Sequence, residues 1–503
     1  MKTRYVVPAV GAGVTAGVVY GPVGGGMKGV ERMATIATTG LGGSKAAASG
    51  ARKGGLRAAR GIGAGGLAGG RDRRLDAIRE KVEQAERLTL EDGDLLYCTP
   101  DIWTVCELAA MVRNRLHGAP GPGGGGVGYY NINRHLNYSN VCALSCKFCE
   151  FYRKKDEAGS YTRDMAYVRE EVRKAVEGGA TEIHSVGGLH PYLPWSYYPE
   201  LVSTIRDEAR RLSGGGSELH VKAFTAVEVV HLAKIAKVYK GSNDTSEEGL
   251  TARREGIRWV LSELKKAGLG SLPGGGAEVF DDRVHDEAFK GKIRSDVWLD
   301  VHREAHALGL NTNATILYGH IEQRRERLVH MEMLRDAQDE ALGKGSGIKG
   351  SGDQAGTSKG STLSIPRPLD PSIPSGHFQT IIPLPFFPDG SDLEHLPGPT
   401  GLENLRTLAI SRLMLDNFPH VKAFWIMQTL PMAQLMLQSG ADDLDGTVVW
   451  YDITKVPQGS TDVPTHQEVN VWTLQKAIRD AGFEPVERDT LYRRVVREGK
   501  SWR

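Results

Sequence analysis

Cys142, Cys146 and Cys149 lie in the stretch NYSNVCALSCKFCEFY, from Asn137 to Tyr152, at C-x3-C-x2-C spacing with Phe148 directly before the last thiol. Three thiols this close in sequence can meet at one metal centre only if the backbone curls into a loop, and soft sulfur donors select zinc or iron-sulfur. The donor count separates the two. A structural zinc site closes with four ligands, usually as two knuckles, and no second Cys or Cys/His pair stands nearby at knuckle spacing. A zinc-stabilised binding protein would need a distant fourth residue such as His135 or His190. A 4Fe-4S cube held by three cysteines keeps one iron without a protein ligand, and an open position is where a small molecule can be activated.

Other residues able to do chemistry are scattered downstream. Gly187 and Gly188 follow a short apolar run and suit close backbone approach to a ligand. The Gly274 to Gly276 triplet, centred on Gly275, could do the same, although alone it is a turn signal. Glu228, Glu278 and His320 are candidates for orienting hydroxyls or exchanging protons, each with a plainer reading as a structural hydrogen bonder. His302 and His306 are four apart on a helix but lack the H-E-x-x-H pattern, and the Asp442, Asp443 and Asp445 group reads as polar packing. An anionic substrate requires cations around it, for which Arg134, His135, Arg294 and Arg412 are the candidates.

The elements that must position these groups alternate. Apolar runs at Tyr129 to Asn133, Glu182 to Val186, Leu219 to Phe224, Gly270 to Leu272, Leu310 to Leu317, Phe378 to Pro383, Val421 to Met427 and Asp445 to Trp450 read as buried parallel strands. Amphipathic helical stretches separate them, among them Met165 to Val176 and Ile257 to Ala267. Eight strands alternating with helices predict an α/β fold, a (β/α)8 TIM-type barrel whose chemistry sits at the carboxyl ends of its strands. The cysteine loop, Gly187-Gly188, Glu228, the glycine triplet with Glu278, and His320 all follow successive strands, so they converge on one rim.

Ahead of the barrel, residues 72–128 read as a helical layer with one helix from Leu75 through Leu88, a second from Trp103 to Leu116, and a flexible glycine-rich link. Cys98 and Cys106 fall in that layer as buried thiols. Residues 1–71 hold ten basic residues against Glu31 alone, a balance of +9 that leaves −7 for the remainder of a chain totalling +2. That first segment, rich in Gly, Ala and Arg, reads as a disordered tail, and the Gly343 to Gly376 stretch as a disordered insertion on the face away from the chemistry. The acidic remainder, residues 72–503 with the barrel of 129–503 within it, argues against a nucleic-acid surface. No run of about 18 strongly apolar residues predicts a membrane span, and an oxidisable thiol cluster points to a reducing cytoplasm.

The cysteine spacing with its aromatic resembles the radical S-adenosylmethionine superfamily. Longer stretches, among them VGGLHPYLP, VKAFTAVEV, LGSLPGGGAEVF and GADDLDGTV, are similar to the aminofutalosine synthase family of the futalosine route to menaquinone. The resemblance implies a 4Fe-4S cluster on Cys142, Cys146 and Cys149, and S-adenosylmethionine consumed as co-substrate. It sets Gly187 and Gly188 against the methionine amino group of that cofactor; Phe148 and Gly275 are the further cofactor-binding candidates, and Glu228, Glu278 and His320 remain the catalytic ones. It further implies addition of a 5′-deoxyadenosyl radical to the enol ether 3-[(1-carboxyvinyl)oxy]benzoate, with electrons from a flavodoxin or ferredoxin. A sister such as the dehypoxanthine futalosine cyclase shares the cysteine loop and is the alternative within the superfamily.

Overall fold

The structure is a computed structural model that describes residues 71–214, 218–241, 244–343, 376–447, 469–499 and 501–502. Residues 1–70 of the expected tail, 344–375 of the insertion, and the end of the last expected strand at 448–450 lie outside the described residues. All that follows belongs to one compact unit, Gly66–Arg503.

Twelve strands are present among the described residues, of which ten build the barrel: β1 (Val127–Asn131), β2 (Asn133–His135), β3 (Glu182–Ser185), β4 (His220–Ala223), β5 (Ser271–Leu272), β6 (Asn311–Tyr318), β7 (Phe378–Pro385), β8 (His420–Val421), β9 (Asp443–Gly446) and β10 (Glu484–Glu487); the other two, Arg497–Glu498 and Ser501–Trp502, pair antiparallel with each other. β2 to β8 make a seven-stranded parallel sheet in sequence order, and β10-β1-β9 a three-stranded one. The two sheets join into a ring. β1 and β2 are one path interrupted at Ile132, whose carbonyl still accepts from Thr181 N at 2.8 Å. On the far side Lys422, just past β8, bridges Asp443 of β9, and Ala423 N donates to Asp443 O at 2.8 Å. Eight strand positions are thus connected around the circle among the described residues, the expected TIM-type α/β barrel, with β10 added on the N-terminal half of β1.

Several boundaries depart from the sequence reading. The first expected helix ends at Glu83, because Ala85 takes a left-handed φ of 57°, and the chain restarts at Leu90–Cys98 behind a Thr89/Asp92 capping box. Cys98 at that helix end is exposed, while Cys106 is buried. The glycine-rich link is a turn closed by Ala119 N to Gly124 O at 3.2 Å and Gly126 N to Ala119 O at 2.9 Å. The seventh barrel strand stops at Val421, and Trp425–Gln428 is a helical turn lying at the barrel mouth. An apolar run with two aromatics does not distinguish these states by periodicity.

Helices Leu90–Cys98 and Ile102–His117 pack on barrel helices Arg324–Ala341 and Gly401–Met414, so the N-terminal layer is part of the barrel's outer wall. Inside the ring lies a charged layer that closes on itself. Lys222 pairs with Glu182 at 2.7 Å, Lys422 with Asp445 at 2.8 Å, and Arg488 with Asp443 at 2.6 Å. Three cations meet three carboxylates, the only arrangement in which burying so many charges is tolerable. The segment after β10 supplies Arg488 and also Thr490, whose hydroxyl donates to Glu182 at 2.8 Å.

Candidate active site

A cavity of about 450 Å³ opens at the carboxyl ends of the strands. Cys142, Cys146, Cys149 and Phe148 line it, with Gly187, Gly188, Glu228, Gly275 and Glu278. Of the residues picked for cluster ligation, cofactor binding and catalysis, the structure therefore brings all but His320 to this cavity.

The cysteine loop curls because a following strap ties it at both ends. Cys142 N donates to Arg153 O at 3.0 Å, Arg153 N to Asn140 O at 2.8 Å, and Cys149 N to Cys146 O at 3.1 Å. The glycine pair lies directly against it. Gly188 N donates to Ser139 O at 2.8 Å, Ala143 N to Leu189 O at 2.9 Å, and Leu189 N to Cys142 Sγ at 3.4 Å. A Cβ on Gly188 would stand 2.4 Å from Val141 O, and one on Gly187 would stand 2.6 Å from the Tyr138 ring. Glycine is required here for the close approach of two loops, whatever ligand the cavity takes.

The cysteines fit a multi-iron centre with an open corner. Burial pushes the Cys146 thiol up to about 12, so a positive metal centre is what would favour its thiolate at neutral pH. One tetrahedral zinc with bonds of about 2.3 Å draws its sulfurs to roughly 3.8 Å apart. Three thiols leave such a site one donor short, whereas a 4Fe-4S cube is held by three with one iron left without a protein ligand. Neither proposed fourth zinc ligand serves. His135 is inside the barrel against His184, ring centroids 4.6 Å apart, and His190 Nδ1 accepts from Tyr192 N and Leu193 N at 3.1 and 3.0 Å. Neither lines the cavity.

The three acid–base candidates occupy different situations. Both oxygens of buried Glu228 are engaged: Oε1 accepts from Tyr138 OH at 2.8 Å and Gly187 N at 3.0 Å, and Oε2 from Thr225 N and Thr225 Oγ1, both at 2.8 Å. Burial raises its pKa while these donors oppose the rise. This carboxylate caps helix Ala226–Ile235 and ties three strand-to-helix loops together. Glu278 holds Lys292 Nζ at 2.5 Å through Oε1, while Oε2 is buried without a hydrogen-bond partner and the residue takes φ 44°. The His320 side chain is fully covered, Nε2 against Leu317 O at 3.1 Å and Nδ1 3.4 Å from Glu322, and does not line the cavity.

The cations anticipated for an anionic substrate are elsewhere. Arg134 pairs with Glu171 on an outer helix at 2.7 Å, Arg294 with Asp282 and Asp286 at the surface, and buried Arg412 with Asp442. Among the described residues lining the cavity, the cation is Lys292, which no sequence signal singled out. Its ammonium stands 4.8 Å from the Phe148 ring centroid and 5.9 Å from that of Phe289. Burial works against its charge, but Glu278 and the neighbouring Cys146 hold its pKa above the usual value. The glycine triplet lies across β6: a Cβ on Gly274 would stand 2.6 Å from Ala314 backbone, and Thr315 Oγ1 donates to Gly274 O at 2.6 Å. The paired histidines of the sequence reading are core residues, His302 packed on Trp298 and His306 bonded to Thr312 Oγ1 at 2.8 Å.

A parallel barrel with three thiols gathered at its carboxyl-terminal mouth is the arrangement of a cluster-binding barrel enzyme. Residues 136–334 match the radical SAM superfamily and residues 375–498 the CofH/MqnC C-terminal region. The chain is 38% identical to aminodeoxyfutalosine synthase of Thermus thermophilus, over 85% of this chain and 98% of that protein. It is 39% identical to aminodeoxyfutalosine synthase of Streptomyces coelicolor, over 84% and 94%. The crystal structure of methylornithine synthase shares the fold at TM-score 0.53 and 15% identity, covering 81% of this chain and 97% of that one. The chain belongs to the radical SAM superfamily and, within it, to the aminodeoxyfutalosine synthase family. Its cofactors are accordingly a 4Fe-4S cluster and S-adenosylmethionine.

Proposed function

We propose that this enzyme joins the 5′-deoxyadenosyl group of S-adenosylmethionine to the enol-ether double bond of 3-[(1-carboxyvinyl)oxy]benzoate. The products are aminodeoxyfutalosine, methionine and bicarbonate, on a route to menaquinone. The carrying observation is three thiols lining one cavity at the barrel mouth, in a protein that aligns along nearly the whole of its aminodeoxyfutalosine synthase relatives.

Cys142, Cys146 and Cys149 would hold the cluster, which when bound supplies the electron that opens the sulfonium. The chain's own residues do the rest. Phe148, Leu189 and Ile426 wall the cavity with apolar surface that excludes water from a radical reaction. Gly187, Gly188 and Gly275 let backbone lie along the ligand, and the Glu228 tie fixes the Gly187-Gly188 loop relative to the cysteine loop. Lys292 is placed to receive a carboxylate, with Glu278 as its resting counter-ion. Glu278 Oε2 is the free buried acceptor able to orient a hydroxyl or ammonium. An external low-potential donor such as flavodoxin or ferredoxin supplies the electron, and an oxygen-labile cluster suits the cytoplasm. No helix among the described residues is long and apolar enough to cross a membrane.

The test is anaerobic incubation of reduced, iron-reconstituted protein with S-adenosylmethionine and the enol ether. An adenosyl–substrate adduct is expected. Free 5′-deoxyadenosine with a cyclised product from dehypoxanthine futalosine would instead assign the sister activity, and a colourless zinc protein would overturn both.

A further inference from the structure

We propose that Lys154 is a positioning residue for the cluster site, pinning the cysteine loop from its outer side and biasing the bound cluster toward its reduced state. The inference rests on the cluster assignment above. Lys154 Nζ donates to three successive carbonyls of the ligand loop, Cys142 O at 3.2 Å, Ala143 O at 3.4 Å and Leu144 O at 2.9 Å. An exposed lysine ordinarily spends its charge on solvent or on a surface carboxylate of little energetic consequence. Here the ammonium serves the backbone that carries the first thiol.

Lys154 is held in place by a strap running back along the loop. Val141 bridges Arg153 and Ser139 bridges Thr162. Asn140 clamps the strap from both sides, Nδ2 donating to Gly159 O at 2.9 Å and Oδ1 accepting from Tyr161 N at 2.8 Å. Lys154 N itself donates to Glu157 Oε2 at 2.7 Å. The lysine therefore projects from an ordered element.

Because peptide groups are planar and trans, turning three carbonyls toward Lys154 turns the following N–H groups away from it. The first of these, Ala143 N, donates to Leu189 O on the cavity wall. That amide thus points away from the ammonium, and the charge of Lys154 stands directly behind the peptide units that carry the first thiol. Reduction adds negative charge to a cluster, and nearby net charge and amide dipoles set how favourable that addition is. Loss of the ammonium removes one positive charge and frees three peptide groups to rotate.

The experiment compares wild type with Lys154→Arg, Lys154→Gln and Lys154→Ala, each reconstituted anaerobically. An EPR-monitored redox titration reads the cluster midpoint potential, and iron release to a chelator reads the hold of the loop. Lys154→Gln and Lys154→Ala are expected to show a more negative midpoint and about tenfold faster iron release, as loss of charge-assisted bonds implies, with Lys154→Arg near wild type. Unchanged unfolding of the iron-free variants would place the effect at the site. Wild-type potential and iron release in both neutral variants would overturn the inference, as would equal loss in Lys154→Arg. Wild type that takes up no cluster would instead overturn the proposed function.

Discussion

Glu228→Gln separates a structural tie from a proton-transfer group. The carboxylate accepts four hydrogen bonds, two on each oxygen, two of them from backbone N–H of Gly187 and Thr225. Glutamine keeps the shape but offers one accepting oxygen. With the oxygen toward Gly187, the new NH2 faces Thr225 N–H; with the amide flipped, it faces Gly187 N–H. The Tyr138 and Thr225 hydroxyls can rotate to accept, but a backbone amide cannot. Either way one buried donor is left unsatisfied, about 1–3 kcal/mol, and charge-assisted bonds become neutral ones, for a total of about 2–4 kcal/mol.

Against a net stability of about 5–15 kcal/mol this leaves the protein folded but loosens the three loops that meet there. Denaturant unfolding of Glu228→Gln should show that loss. Tyr138→Phe, which removes one donor, should lose about 1 kcal/mol, and the double variant less than the sum, because the two share a bond. Affinity for S-adenosylmethionine should fall with stability, while the shape of the pH–rate profile stays that of wild type. Wild-type stability in Glu228→Gln, combined with an activity loss that removes one limb of the pH profile, would refute the tie and restore Glu228 as an acid–base group.

Lys292→Met leaves Glu278 buried without its counter-ion and should destabilise by about 3–5 kcal/mol, most of it recovered in Lys292→Met/Glu278→Gln; chemical denaturation of the three proteins reads this directly. Gly188→Ala forces a methyl group 2.4 Å from Val141 O and should part the glycine loop from the cysteine loop, at about 1–3 kcal/mol. Its iron content after reconstitution should drop while circular dichroism stays native. Acid should weaken the iron-free fold through histidines kept neutral by burial. His306 and His330 are both depressed to about 3, so below pH 6.5 the unfolded chain takes up protons the folded one refuses. Stability should fall between pH 6.5 and 5 by about 1.5–2 kcal/mol for each. A flat profile in denaturant titrations over that interval would contradict their burial.

What was legible in the sequence is what local spacing encodes. The three thiols fall within eight residues, so the cysteine loop announces itself, and buried parallel strands show as short apolar runs that need no partner to be seen. Lys292 illustrates the opposite case. It matters because Glu278, fourteen residues earlier, and Phe148, on another loop, converge on it, and nothing within its own neighbourhood marks it. Arg412, by contrast, looked available and is committed to Asp442, thirty residues on. The inner charged layer is equally silent, since Lys222 and Lys422 occupy strand-like runs whose apolar neighbours suggest a plain core, and their carboxylates come from β3 and β9. Each such pairing is made by the closing of the ring. Glu228 is the intermediate case: its position three residues after Thr225 spells a capping box, so the helix cap could be read locally. The two further donors, Tyr138 and Gly187, arrive from other loops, and they convert a cap into the tie on which the cavity's geometry depends.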